Sequence, residues 1–432
     1  MVNINWATMQ PLTGGMPIGY EQEFGNMPKF IIDNSGANTS EYINYCKQRG
    51  YDIPVIKMNW DVTEFLSEED EIIFNSVKGD IDVMCYVPIC SGLSMLNNCT
   101  SGCNARGDAD NNQNQNMYNL STFILDKIKP TVACFENAPN AYSPSGKGVL
   151  DNLIEIGMKH NYTLSIEKVD TYDHGIPQHR QRTFIYYWNS EKAPYIEYQK
   201  QESPNLIDFF NSIPAGLKDS DTYCTTSNSI EDYTYECINE LYNPQNKHII
   251  DAVLDINPAP KNTSGLGFLN DTGFDKPIEW ANNKINYFST QKDEENVKKY
   301  EKVLKKFIHC KTKREKDMSF WDATVSIVTH RQYINALIGK NISVILHPTE
   351  NRCLNIRELL SLMGMPYDYS LTTNKNYMMI TQNVPVCTAR HSAFNCRKFV
   401  LKELKESNST FVKQNNIKQT IDFENNNVVD NW

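Results

Sequence analysis

An α/β fold with a second, less regular lobe is what this sequence predicts, and three observations predict it. Short apolar runs alternate with polar or helical segments through residues 1–190. That rhythm stops near residue 191 and returns after 320. The chain has 432 residues, and single cores stop growing at roughly 250–300, so at least two lobes follow. The expected order is a first lobe over 1–190, an irregular lobe over 191–320, a return to the first over 321–406 and a frayed, Asn-rich tail over 407–432.

Five runs read as buried strands: KFIID (29–33), IPVIKMN (53–59), DIDVMCYVP (80–88), PTVACFE (130–136) and RTFIYYW (182–188). Each is rich in Val, Ile or aromatics and bounded by turn residues. LSTFILDKI (120–128) and GVLDNLIEIG (148–157) carry helical apolar spacing. Strand and helix in alternation imply a parallel sheet, and such sheets bind ligands at the carboxyl ends of their strands. Beyond 320, VSIVT and SVILH read as strands, and IRELLSLMG and TARHSAFNCRKFVLKELK read as helices.

Composition narrows the class. Hydrophobic residues make up 40% and aromatics 11%, which suits packed cores and excludes disordered, collagen-like and coiled-coil chains. No stretch approaches the ~18 apolar residues of a membrane span. The start, MVNINWATMQPL, lacks a basic region followed by an apolar one, so a cytoplasmic protein is expected. Twelve cysteines then read as reduced thiols, one of them a candidate for reactivity. The net charge of −10 does not favour nucleic acid, but a local basic stripe outweighs a global sum. EKVLKKFIHCKTKREKD (301–317) is such a stripe, with seven Lys/Arg plus His309. A solvated helix face and a phosphate-contacting surface are both open readings of it.

Four segments carry chemistry. Pro88-Ile89-Cys90-Ser91-Gly92 follows the apolar run DVMCYV, so Cys90 falls on a turn at a strand's carboxyl end, where a nucleophile needs to be. Cys134-Phe135-Glu136-Asn137 ends another strand, and a carboxyl held at a site's lip has its pKa raised and donates a proton. In Gln178-His179-Arg180-Gln181-Arg182 the two arginines share one face of an extended segment and suit carbonyl or phosphate groups. Leu12-Thr13-Gly14-Gly15-Met16 is a turn that lets a ligand approach the backbone, and Asp33 and Asp61 follow the next two strands. Alone, each has a bland alternative: a core cysteine, a solvated glutamate, a salt-bridged edge strand, an ordinary turn.

In this order the segments resemble the DNA (cytosine-5) methyltransferases over about residues 8–190 and 320–400. Pro88-Ile89-Cys90 resembles that family's Pro-Pro-Cys loop, and Glu136-Asn137-Ala138 its Glu-Asn-Val. Gln178-His179-Arg180-Gln181-Arg182 matches its Gln-x-Arg-x-Arg. Arg357-Glu358 through Gly364-Met365-Pro366 and Ile380-Thr381-Gln382-Asn383-Val384-Pro385 are similar to its two closing segments. The irregular stretch falls where the family carries its target-recognition domain.

The resemblance implies a Rossmann-like sheet that binds S-adenosyl-L-methionine, and a monomer acting on double-stranded DNA. It implies Cys90 as nucleophile, Glu136 as proton donor, and Arg180 and Arg182 as substrate-side cations. The cofactor would contact Thr13, Gly14, Gly15, Met16, Asp33, Asp61, Pro88, Gln382 and Val384; no metal is implied. Cys99 and Cys103 would belong to a mobile lid, CTSGCNARGDADNNQNQN, after the catalytic turn. The family's Phe-x-Gly-x-Gly turn reads Gln10-Pro11-Leu12-Thr13-Gly14 here, its second loop proline is Ile89, and its Gly-Asn is Thr381-Gln382. These departures leave open a modified sulfonium donor. An RNA cytosine-5 methyltransferase and a catalytically dead DNA-binding homologue are the other readings.

Overall fold

The computed structural model describes residues 3–33, 39–58, 66–94, 105–224, 237, 240, 273–316, 326–327, 333–339, 342, 345–347, 350 and 352–415. Two compact units divide the chain. The first comprises Met1–Ser203, Leu360–Thr372 and Gln382–Trp432; the second comprises Pro204–Leu359 and Thr373–Thr381.

The first unit is built on an eight-stranded sheet. Its strands are β1 (Trp6–Met9), β2 (Ile31–Asp33), β3 (Val55–Lys57), β4 (Val83–Tyr86), β5 (Val132–Asn137), β6 (Thr163–Asp170), β7 (Gln181–Trp188) and β8 (Phe411–Asn415). Their spatial order is β8-β6-β7-β5-β4-β1-β2-β3. All five strands read from sequence are present. The expectation of a wholly parallel sheet is corrected by β7, which runs antiparallel between β5 and β6. The connection 171–180 is too short for a parallel crossover, which needs a dozen or more residues.

In chain order the helices that alternate with these strands are α1 (Gly15–Phe24), α2 (Thr39–Gln48), α3 (Glu68–Val77), α4 (Asn112–Phe123) and α5 (Lys147–Lys159). Both sheet faces are covered. On one, Ile32, Ile56, Met84, Phe135 and Ile185 pack with Phe123, Leu150 and Leu153. These last come from α4 (Asn112–Phe123) and α5 (Lys147–Lys159). On the other, Trp6, Cys85, Cys134 and Trp188 pack with Met16 and Tyr20 of α1 (Gly15–Phe24) and with Ala389 and Ala393. The last two lie on the helix Val386–Val400. The helix read over 120–128 begins earlier, at Asn112, and its last turn, Ile124–Ile128, widens to a π-helix. Strands β1 and β6 escaped sequence reading. In β6 the face opposite Leu164 and Ile166 buries Ser165 and Glu167, so no apolar run marks it.

Two boundary expectations also change. The first lobe extends past 190 because Ala193 N donates to Ser409 O at 2.8 Å and Tyr195 N to Lys405 O at 2.8 Å. The tail expected to fray from 407 instead supplies β8, paired parallel with β6 from Phe411↔Leu164 to Asn415↔Lys168. A strand edge left open on β6 is what the tail satisfies. Residues 416–432 lie outside the described residues.

In the second unit, the helices Asp275–Thr290 and Glu294–Lys316 form an antiparallel pair around Trp280, Tyr300, Val303 and Phe307. Of the expected strands VSIVT and SVILH, Ser326–Ile327 and Ile345–Leu346 pair as a parallel ladder; residues 325, 328–329 and 343–344 lie outside the described residues.

Candidate active site

Strand order dictates where a ligand sits. β1 lies between β4 and β2, and the chain leaves β3 to cross to β4 on β1's other side. That reversal opens a crevice at the carboxyl ends of β1 and β4. The turn 10–15 follows β1, and Pro88-Ile89-Cys90 follows β4.

Cys90 is exposed. Enough protein surrounds its sulfur to push the thiol above its ordinary range; the Glu136 charge adds to that rise, while Arg182 and then Arg180 oppose it. Three charged side chains therefore act on one thiol, and sequence reading had picked all four groups. Glu136 is 4% exposed at the end of β5. Burial raises its pKa, against the pull of Arg182 and then Arg180. Arg182 Nε lies 2.6 Å from Glu136 Oε1, as an ion pair by distance without a well-aligned hydrogen bond to that oxygen. Arg180 is 2% exposed. Its pKa is pushed down to about 9, first by burial and then by the like charge of Arg182, so it stays a cation at neutral pH. Its Nη2 donates to the carbonyl of Asn383 at 3.0 Å, and its backbone N donates to Asp170 Oδ1 at 3.0 Å.

The cysteine turn is braced from α4 and from the segment that precedes it. Gly107 N donates to Gly92 O at 2.9 Å, Ser91 Oγ hydrogen-bonds Gln113 Oε1, and Asn114 Nδ2 donates to Asp108 O at 2.6 Å. A Cβ on Gly92 would meet Asn114 Oδ1 at 2.4 Å. The expectation of a mobile lid through 99–116 is therefore corrected for residues 105–116. Their Asn and Asp side chains cap and brace: Asn111 accepts from Gln113 N, and Asn111 and Asn114 are each 1% exposed. Cys99 and Cys103 lie outside the described residues.

Sequence reading missed Asn383. Its side-chain Oδ1 accepts from Gly15 N at 2.8 Å while its carbonyl accepts from Arg180, joining the glycine turn to the arginine strand. The signal was available, since Asn383 lies between the two residues chosen there. Gln382 is exposed at the end of the 3-10 segment Asn374–Gln382, whereas Val384 is buried with its carbonyl against Gly15. A Cβ on Gly15 would meet that carbonyl oxygen at 1.9 Å. Gly15→Ala is accordingly expected to destabilise the chain by about 1–3 kcal/mol, the usual cost of overpacking. Chemical denaturation of the purified variant measures it, and an unchanged midpoint would refute the contact.

The remaining cofactor-side residues divide. Thr13 is 1% exposed and its hydroxyl has no hydrogen-bond partner; Gln10 is 5% exposed and its Nε2 is likewise unpartnered. Two orphaned polar groups at a ligand crevice fit a polar cofactor better than an apolar packing role. Asp33 ends β2 and accepts from Thr39 Oγ1 at 3.0 Å. Pro88 is buried beside the cysteine, and Met16 is a core residue under the sheet. Asp61 lies outside the described residues. Leu12 has φ +53. The left-handed conformation survives where the related motif has glycine, at a cost of about 1–2 kcal/mol for a side chain.

The first unit is thus a doubly wound, Rossmann-like sheet with one antiparallel strand, and a thiol, a carboxyl and two guanidiniums stand at its carboxyl edge. The chain belongs to the C-5 cytosine-specific DNA methylase family, whose model matches residues 39–398. That family uses S-adenosyl-L-methionine as methyl donor. Among curated proteins, the Type II methyltransferase M.AgeI of Thalassovita gelatinovora is 29% identical over 108 residues; the match covers 25% of this chain and 23% of that enzyme. Among solved structures, an Escherichia coli prophage-encoded chain assigned to DNA modification methyltransferases aligns with TM-score 0.54 and 14% identity, over 93% of this chain and 100% of that one. The Entamoeba histolytica methyltransferase EhMeth aligns with TM-score 0.51 and 12% identity, over 94% and 100%. These two likenesses speak to fold. No helix among the described residues is long and apolar enough to cross a membrane.

Proposed function

We propose that this chain methylates C5 of cytosine in double-stranded DNA through a transient covalent bond from Cys90. The observation that carries the reading is the gathering of Cys90, Glu136, Arg180 and Arg182 at the carboxyl edge of the sheet, with Arg182 Nε 2.6 Å from Glu136 Oε1. C5 of cytosine is a weak nucleophile until C6 is attacked, and a thiolate is both a strong nucleophile and a good leaving group. Glu136, held protonated more readily by its burial, donates to N3 as the C6–S bond forms and accepts from the exocyclic amine. Arg182, paired with Glu136, faces the O2 side. Arg180, tied to Asn383, keeps the arginine strand against the glycine turn. Thr13, the 14–15 turn and Asp33 would hold the cofactor, which supplies an electrophilic methyl group. Loss of the C5 proton to water, return of the N3 proton to Glu136 and expulsion of the Cys90 thiolate would then restore the neutral ring, the cofactor leaving as its neutral thioether. None of this chemistry is reachable inside a duplex, so the base is flipped out.

The reacting form needs Cys90 ionised and Glu136 protonated. kcat/KM is therefore expected to follow a bell, its acid limb set by Glu136 and its alkaline limb by Cys90, both displaced upward by burial. In Glu136→Gln the alkaline fall should vanish and leave a simple rise with pH as the thiol ionises. An unchanged bell in that variant would remove Glu136 from the mechanism.

Trapping on duplex DNA containing 5-fluorocytosine tests the whole reading. With cofactor present, a stable protein–DNA adduct at Cys90 is expected, and mass spectrometry of modified cytosine identifies the transferred group. Adduct formation on RNA but not DNA would move the substrate to RNA. A transferred mass other than methyl would establish a modified donor. No adduct on either nucleic acid would indicate a binding protein that has kept the fold.

A further inference from the structure

We infer that the solvent face of the helix Glu294–Lys316 is a rail for the phosphate backbone of duplex DNA. At 100° per residue, Lys298, Lys302, Lys305, His309, Lys313 and Lys316 fall within a sector of about 80°. All six are exposed, and Lys299 and Lys306 stand on the sector's flank. The opposite face, with Tyr300, Val303, Phe307 and Cys310, is buried against the neighbouring helix. Orientation is thereby set: the apolar face cannot turn outward, and the basic face cannot turn in. From Lys298 to Lys316 the stripe runs about 27 Å, alongside about eight base pairs at 3.4 Å each.

Structural duties do not account for these cations. Among the described residues, none of Lys298, Lys302, Lys305, Lys313 and Lys316 is held in an ion pair, whereas Lys311, off the sector, pairs with Asp275 at 2.5 Å. Of the acids, Glu295 in the first turn sits at the sector's edge, whereas Glu294, Glu301 and Glu315 fall outside it. Complementing the helix dipole explains Lys313 and Lys316 near the carboxyl end, but that effect fades beyond the last turn and leaves Lys302 and Lys305 unexplained. Like charges one turn apart, Lys298 with Lys302 and Lys302 with Lys305, repel each other and weaken an isolated helix. Spacing cations along one ridge suits an extended polyanion, which relieves that repulsion and releases its own counterions. A chain of net charge −10 repels DNA overall, so local attraction of this kind is what close approach requires.

That the polyanion is duplex DNA rests on the function proposed above; that this face binds an extended polyanion does not. The test measures the affinity of the full chain for a nonspecific duplex of about 30 base pairs across a salt series, against K302A/K305A/K313A. Each phosphate contact contributes about −0.9 to the slope of log K on log salt, so the triple variant should lose roughly 2.7 from that slope. Its circular dichroism and thermal midpoint should match the parent, since the three side chains are exposed. An equal slope in parent and variant would overturn the proposal. So would a loss seen only on vesicles of phosphatidylcholine and phosphatidylserine, which would make the face a membrane surface. Trapping at Cys90 separates the two readings: a triple variant that still forms the adduct at saturating DNA, with a raised KM, supports the rail, whereas a parent that forms none refutes the enzyme while the salt slope still judges the helix.

Discussion

Cys90→Ala is expected to lower methyl transfer by on the order of 10⁴-fold or more, the scale seen when a covalent nucleophile is removed. Affinity for duplex DNA should stay within a few fold of the parent. Cys90 is exposed and its turn is held through Gly92 and Ser91 by Gly107 and by Gln113 of α4, so the substitution should leave folding stability within about 0.5 kcal/mol. Single-turnover transfer from labelled S-adenosyl-L-methionine, beside a DNA-binding titration, checks both halves. Retained turnover in this variant would end the covalent mechanism. Lost turnover with lost DNA affinity would mean that the turn had collapsed, which the braces from α4 argue against.

Glu136→Gln carries the next largest expectation, a fall in kcat of ~10²–10⁴, the usual weight of a general acid. Gln is nearly isosteric, and its amide removes the negative charge that holds Arg182 at 2.6 Å. Two effects oppose each other at Cys90. Loss of the carboxylate charge makes the thiolate easier to form, because that charge raises the thiol pKa, while loss of the proton donor slows attack at C6. If proton donation dominates, kcat falls although thiol alkylation by iodoacetamide at fixed pH becomes faster. Slower alkylation together with slower turnover would instead indicate a displaced cysteine turn.

The candidate site was legible in the sequence because it consists of particular residue types at strand ends. Cys90, Glu136, Arg180 and Arg182 each follow or begin an apolar run, and a run of four to eight such residues declares both a strand and its end. Much of the sheet was legible for the same reason. β6 was not, because its second face buries polar groups: Glu167 accepts from Tyr186 Oη at 2.5 Å and lies 3.1 Å from His391 Nε2, partners remote in sequence. β8 was hidden by an Asn-rich composition that looks like a frayed end and becomes a strand only because β6 offers it an open edge.

Local sequence thus determined the candidate groups, their placement at the carboxyl ends of strands and the basic character of the helix 294–316. Tertiary structure alone decided that β7 enters antiparallel, that Asn383 joins Gly15 to Arg180, and that the basic sector of that helix is turned outward. The physical reason is range. Periodicity and turn chemistry act over a few neighbouring residues, whereas a buried hydrogen bond such as Gly15 to Asn383 spans 368 positions and exists only after the sheet has brought both ends of the chain together.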